Sequence, residues 1–281
     1  WTDDLLLPML LPGHTGFDQV ISNIGKTETK GVDVTITGVI FDKKDFKWNA
    51  DLTLGHTKEK IVSINSDQDD ELNGWFIGEP TQVYYDYNKV GIWQSNEEAE
   101  AAKYGQKPGD IKVEDVNHDG QITPEEDRMI VGQRTPKLTL GFNNKLQYKE
   151  WELDLFLYGR FGHTVVNNFK RGFIRSGWQN QSVYDYWTPQ NPTNDMPRPL
   201  YGDNNPLYAS TLGYEKGDFV KIKDITLAYN VPLKWISQIG LSRLRIYGTM
   251  KNFFTFSGVS DYDPEGNGSI YYPITKELVF G

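Results

Sequence analysis

Alternation of apolar and polar residues with a period of two, repeated in run after run, limits this chain's possible folds more than any other feature. From Val32 to Ile40 the even positions are Val32, Val34, Ile36, Gly38 and Ile40, with Asp33, Thr35 and Thr37 between them. Phe46, Trp48, Ala50, Leu52 and Leu54 alternate with Lys47, Asn49, Asp51 and Thr53. Further rows are Leu138, Leu140, Phe142, Leu146 and Tyr148, then Trp151, Leu153, Leu155, Leu157 and Phe161, then Leu244, Ile246 and Met250. Successive side chains of a strand point to opposite faces, so each run describes a strand with one apolar side. Within 219–231, Val220 and Ile222 give way to Ile225, Leu227, Tyr229 and Val231, and this change of phase near Lys223-Asp224 predicts a β-bulge. With the run 271–280, seven strands are expected. Most are about 9–13 residues long, and a tilted strand needs ~9–11 to cross a bilayer.

The connections between these runs come in two sizes that alternate. Asp42–Asp45 and Lys149-Glu150 are tight turns, and 232–241 is a compact one around ProLeuLysTrpIle. By contrast 60–135, 163–214 and 255–269 are long, polar and rich in Gly, Asn, Asp and Pro. Outer-membrane barrels segregate loop length in this way, with short periplasmic turns and long extracellular loops. Phe46, Trp48, Tyr148, Trp151, Tyr229 and Trp235 stand beside the short turns. A membrane interface selects amphipathic rings at one level, although strand-end aromatics also fill ordinary cores. The expected fold is all-β, part of a large antiparallel transmembrane β-barrel, with long extracellular loops and one short helix. That helix lies within 60–135, where Ser95 caps, Glu98 completes a capping box and 97–103 run helical to Gly105. The alternative is a soluble, calcium-stabilised β-sandwich that binds carbohydrate, which would close its apolar face into a core.

A net charge of −9, with no clustering of basic residues, argues against a nucleic-acid partner. The absence of cysteine excludes disulfides, thiolate metal sites and cysteine nucleophiles. His14, His56, His118 and His163 are isolated, and no zinc-protease, nucleophile-elbow or phosphate-loop motif occurs, so the chain reads as no enzyme. The longest apolar run, residues 5–11, is broken by Pro8 and too short for a membrane helix. The acidic run Asp67, Asp69, Asp70 and Glu71 reads as a solvated loop. Tyr84, Tyr85, Tyr87 and Trp93 read either as loop packing or as exposed rings for a sugar or peptide. Trp1 opens the chain without methionine and Gly281 closes it within a strand-like run, so the chain reads as a fragment.

One motif carries ligand chemistry. "DVNHDGQITPEE" (115–126) sets Asp115, Asn117 and Asp119 at positions 1, 3 and 5 of a calcium-type loop. Gly120 supplies the sharp turn, Gln121 a backbone carbonyl, and Glu126 a bidentate carboxylate at position 12, with Asp127 a rival for that role. Hard oxygen donors at this spacing suit Ca²⁺, although an Asx-turn cluster without metal uses the same residues. A helix–loop–helix sensor is not expected. Strand-like "DIKVED" precedes the loop and "RMIVG" follows it.

Residues 91–132, from "GIWQSNEEAEAAKYG" through the calcium-type loop, and 135–162, "TPKLTLGFNNKLQYKEWELDLFLYGRFG", resemble the SusC-type TonB-dependent transporters of Bacteroidetes outer membranes. So do "NIGKTETKGVDVTITG" (23–38), "GDFVKIKDITLAYNVP" (217–232), "RLRIYGTMKNFFTFSG" (243–258) and "DYDPEGN" (261–267). The resemblance covers most of 17–281. It implies that residues 1–281 are the C-terminal part of a 22-stranded barrel in outer-membrane lipid, with 60–135 an extracellular insert carrying the calcium-type loop. It further implies a plug domain upstream, a SusD-like surface lipoprotein as lid, and energy from the TonB–ExbB–ExbD system. The cargo would be an oligosaccharide or peptide nutrient. The last strand must then descend to the periplasm, which places the three long loops outside the cell and the short turns inside.

Overall fold

The computed structural model describes residues 2, 6–11, 13–23, 25–64, 68–172, 183–200, 206–259, 261–266 and 273–281. Asp67 and the stretch 271–272, part of two sequence readings above, lie outside the described residues. The chain divides into two compact units. A sheet unit comprises Glu28–Glu59, Thr135–His163 and Lys216–Gly281, and a loop unit comprises Trp1–Thr27, Lys60–Arg134 and Thr164–Glu215.

All seven expected runs form strands of one antiparallel sheet: β1 (Gly25–Asp42), β2 (Phe46–Ile64), β3 (Leu138–Tyr148), β4 (Trp151–Phe161), β5 (Phe219–Asn230), β6 (Arg245–Ser257) and β7 (Glu277–Phe280). They lie in the order β7-β6-β5-β4-β3-β2-β1, a meander in which each strand pairs with its neighbours in sequence. Two strands exceed expectation, β1 with 18 residues and β2 with 19, and the last falls short, since of the described part of 271–280 only Glu277–Phe280 is strand. The short connections hold. Lys149 takes a positive φ of 54° in the two-residue β3–β4 turn, and between β5 and β6 the helical turn Leu233–Ile236 runs into a tighter one, Ser237–Ile239, which Gly240 (φ 78°) ends.

Register sorts the side chains into two faces, because residues directly opposite across a ladder project to the same side. One row reads Phe46, Tyr148, Trp151, Tyr229, Ile246 from β2 to β6. Above it run Trp48, Leu146, Leu153, Leu227, and then Ala50, Asn144, Leu155, Ile225, Met250, Leu278. Leu52, Phe142, Leu157, Ile222 and Phe254 follow, and then Leu54, Leu140, Gly159, Val220 and Phe256. Asn144 interrupts this apolar face, and the Trp48 indole N–H donates to its carboxamide oxygen at 3.2 Å. The other face carries Lys47, Gln147, Glu152, then Asn49, Lys145, Asp154, Thr226, Thr249, then Asp51, Asn143, Phe156, Asp224, Lys251.

The expected bulge is present. Ile222 opposes Leu157 and Phe254, Asp224 opposes Phe156 and Lys251, and Lys223 is passed over in both ladders. One extra residue restores apolar residues to the same face on both sides of the slip.

The loop unit has cores of its own. Ile92, Ile111, Val113, Trp187, Met196 and Leu212 form one buried cluster, and Ile61, Ile64 and Trp75 another. The expected helix is there, as the turn Ser95–Glu97 and the helix Glu98–Lys103, ending at Gly105 with φ 68°. Its cap lies one residue earlier than expected, because the Glu97 carboxylate accepts the Gln94 N–H at 2.9 Å. A second helical turn, Asn168–Gly172, sits in the next long connection. Asp69 and Asp70 are turn caps: Asp69 accepts the Ile77 N–H at 2.7 Å and Asp70 that of Asn73 at 3.1 Å. Trp93 is buried and donates to Gln106 at 2.7 Å, while Tyr84, Tyr85 and Tyr87 pack on Tyr214, Phe76 and Tyr208.

Candidate functional site

The calcium-type loop hangs between two short strands, Ile111–Val113 and Arg128–Gln133, which rules out a helix–loop–helix unit. His118 and Gly120 adopt positive φ of 61° and 83°, so the backbone coils on itself and its amides point inward. The Asp115 Oδ2 accepts the Gly120 N–H at 2.9 Å and the Tyr104 hydroxyl at 3.2 Å. Burial pushes this carboxyl up, but those bonds, with others from the His118 and Asp119 amides, hold it below the ordinary range. Asp119 accepts the Gln121 N–H at 2.8 Å, and the Asn117 carboxamide oxygen accepts the Asp119 N–H at 3.0 Å.

Asp127 and Glu126 divide the closing roles between them. Asp127 is fully buried, with one oxygen accepting the Val116 N–H at 2.8 Å and the other the Thr123 N–H at 2.7 Å. It ties the two ends of the loop together through the backbone. Glu126 instead reaches the Asn117 Nδ2 at 3.1 Å, and that same nitrogen lies 3.2 Å from Asp119. The carboxamide thus stands where two carboxylates ask for a positive partner. Among the described residues no group of three or more His, Asp or Glu side chains is gathered closely enough to hold a metal ion. The donor chemistry nonetheless suits a hard cation, and the Asp115 Oδ1 is buried without a hydrogen-bond partner among the described residues.

A second cluster went unread in the sequence. Lys221, fully buried on the polar face of β5, donates to both Asp263 oxygens at 2.6 Å and to Glu265 at 2.9 Å. Lys223, the bulged residue, donates to Glu265 at 2.7 Å. Burial raises the Glu265 carboxyl, but the two lysines outweigh it and hold it below its usual range. The clasp fastens the connection after β6 to the bulge. Its signature was on the page as a Lys-x-Lys at the phase slip and an Asp-x-Glu in the next long loop.

The sheet itself defines the class of protein. Phe46 to Leu54 extend ~27 Å at ~3.4 Å per residue, or ~20 Å once tilted, comparable with the ~25 Å apolar band of an outer-membrane barrel. On that face Leu227 is 49 % exposed, Phe256 63 % and Leu278 57 %. The Trp151 and Tyr229 rings sit 4.8 Å apart at the short-turn edge, and Phe41 stacks on Trp48 at 6.1 Å. An antiparallel meander greasy outside, polar inside and edged with aromatic rings is a segment of transmembrane barrel wall.

Comparison with known proteins places it further. No family model matches the chain. TonB-dependent receptor P3 of Formosa agariphila is 31 % identical over 283 residues, covering 95 % of this chain and 28 % of that protein. TonB-dependent receptor SusC of Bacteroides thetaiotaomicron is 24 % identical over 293 residues, covering all of this chain and 28 % of that one. In fold the chain matches a solved structure of the RagAB peptide transporter with a TM-score of 0.76, at 22 % identity, over 99 % of this chain and 31 % of that one. By sequence this chain is a homologue of the TonB-dependent receptors, SusC among them, and it spans about three tenths of the length of the relatives it matches.

Proposed function

We propose that the protein containing this chain is an active importer of oligosaccharide or peptide nutrients in the bacterial outer membrane, to which the chain contributes C-terminal barrel strands. The observation that carries this is the two-faced sheet with its aromatic row at the short turns. Its exposed apolar face argues for lipid and against the soluble sandwich, which needs a second sheet over Leu227, Phe256 and Leu278. The relatives' names carry TonB dependence, which supports a reading in which the protein moves its substrate without transforming it. A SusD-like lipoprotein lid and the TonB–ExbB–ExbD system are its partners in this reading. The long loops face outside and the short turns face the periplasm.

In the same reading, loop 115–127 binds structural Ca²⁺ through Asp115, Asn117, Asp119, the Gln121 carbonyl and Glu126. The unpartnered Asp115 Oδ1 and the all-oxygen donor set support it. Outside the cell, where sites of ~10⁻⁴–10⁻³ M affinity fill, one ion would stiffen a long connection. The import reading is tested by uptake of labelled nutrient in cells with and without TonB. Accumulation that persists unchanged without TonB, or a protein that fractionates as soluble, would sink it.

A further inference from the structure

The three short turns of the sheet differ in charge. Asp42–Asp45 sets Lys43 and Lys44 between two aspartates, and Lys149 is followed by Glu150. The β5–β6 connection has no such balance. From Ile225 to Ser260 the sequence carries Lys234, Arg243, Arg245 and Lys251 and no acidic residue, in a chain whose net charge is −9. Two of these cations are matched on the polar face of the sheet. Arg245 meets the Glu152 carboxylate at 3.2 Å, and Lys251 stands opposite Asp224 and Glu277 in the ladders. Lys234 and Arg243 are exposed in or beside the turn and join no ion pair among the described residues.

The same turn displays apolar residues on a fixed frame. Ile236 is buried and pins it, while Leu233, Trp235, Ile239 and Leu241 stand exposed, Ile239 at 70 %. The Val231 N–H donates to the Leu244 carbonyl at 2.9 Å and the Leu241 N–H to that of Ile236 at 3.1 Å. Leu244 and Ile246 are exposed and share one parity on β6, so the apolar surface runs on into the row of Trp151 and Tyr229. The Lys234 ammonium lies 5.7 Å from the centre of the Trp235 ring. Such a group of indole, aliphatic side chains and cations suits a membrane interface. Its apolar parts enter the acyl boundary, and its cations reach the level of the phosphates. An acidic protein would meet the two charges as well. The apolar surface, however, continues without a break into rows that lipid covers, which favours lipid as the occupant.

We propose that the β5–β6 turn docks an anionic phospholipid of the leaflet at the short-turn edge, with Lys234 and Arg243 on its headgroup and Trp235 in the acyl boundary. A zwitterionic headgroup brings its own ammonium and is the weaker match. This names a ligand for the membrane reading and rests on it. The test reconstitutes the full-length receptor in phosphatidylcholine vesicles and adds spin-labelled phosphatidylglycerol or phosphatidylcholine. The fraction of each label immobilised by the protein is read by electron paramagnetic resonance. Phosphatidylglycerol should be preferred about threefold, and the double variant Lys234→Gln/Arg243→Gln should lose most of that preference. Lys251→Gln, on the polar face, should keep it, and all three proteins should keep their heat-modifiable migration in SDS. Equal immobilisation of the two lipids by the parent would overturn the proposal, and so would a preference that survives the double variant. Immobilisation of neither lipid would sink the membrane reading itself, whereas immobilisation of both without preference sinks only the headgroup assignment.

Discussion

In the loop unit Ile92, Ile111, Trp187 and Leu212 meet one another and exclude water. In the sheet unit Leu227, Phe256 and Leu278 stand exposed while Lys221 is wholly enclosed with two carboxylates. One chain therefore buries its apolar residues in one region and displays them in the other. The strands of both regions are drawn from the same residue types. What differs is the surroundings each surface is built to meet: the loop unit folds against water, and the sheet presents its apolar side to lipid.

Four measurements can break or sharpen that contrast. Ile92→Ala should cost the loop unit ~2–5 kcal/mol, read as lost hydrogen-exchange protection within 89–113, with the barrel's heat resistance unchanged. Melting of both regions together would deny that they are separate. Ile225→Arg, in the middle apolar row, should destabilise the barrel by ~2–4 kcal/mol in urea titrations in lipid. Thr226→Arg, one residue along and on the polar face, should cost much less, and equal costs would mean that the faces are assigned wrongly.

Lys221→Met strands two partly buried carboxylates and should loosen the connection 258–266 by about 1–3 kcal/mol, seen in local exchange. The pH dependence follows from Glu265, whose folded value lies below the 4.5 of the unfolded chain. Its contribution is complete above that value and disappears as pH falls through the depressed folded one. Protection of the 258–266 amides, relative to their intrinsic exchange, should therefore fall on acidification in the parent and fall less in Lys221→Met, where Lys223 still holds Glu265. The smallest effect is expected from calcium. At ~1 mM Ca²⁺ and a dissociation constant of ~10⁻⁴ M, chelation should raise proteolysis within 115–127 about tenfold. Asp119→Ala should remove that response, and a loop indifferent to chelation would leave an Asx-turn cluster.

The sheet was legible because a strand's period is local. Each of the seven runs could be read without knowing its partner, and even the slip at Lys223 showed as a change of parity. The loop unit was not, because its strands are three to six residues long and its clusters join residues such as Ile92 and Trp187 that are far apart in sequence. The capping box missed by one residue because Gln94 and Ser95 both offer a cap, and only backbone geometry chooses between them. For the calcium-type loop the spacing was visible, while the commitment of Asp127 to two backbone amides was not. Lys221 and Glu265 escaped notice for a similar reason. They lie 44 residues apart, and only the sheet brings them together.

The unpaired Lys223 makes β5 behave like a reading frame with a slip point. From Asp224 to Asn230 parity is locked, since a one-residue shift would turn Asp224, Thr226 and Asn230 toward lipid and Ile225 and Leu227 toward the lumen. On the loop side of Lys223 the frame is reset by one and locked again, with Val220 and Ile222 back on the apolar face and Lys221 held by Asp263 and Glu265. The bulge thus joins two frames of opposite parity, and deleting Lys223 would force one of them to turn its apolar residues away from lipid.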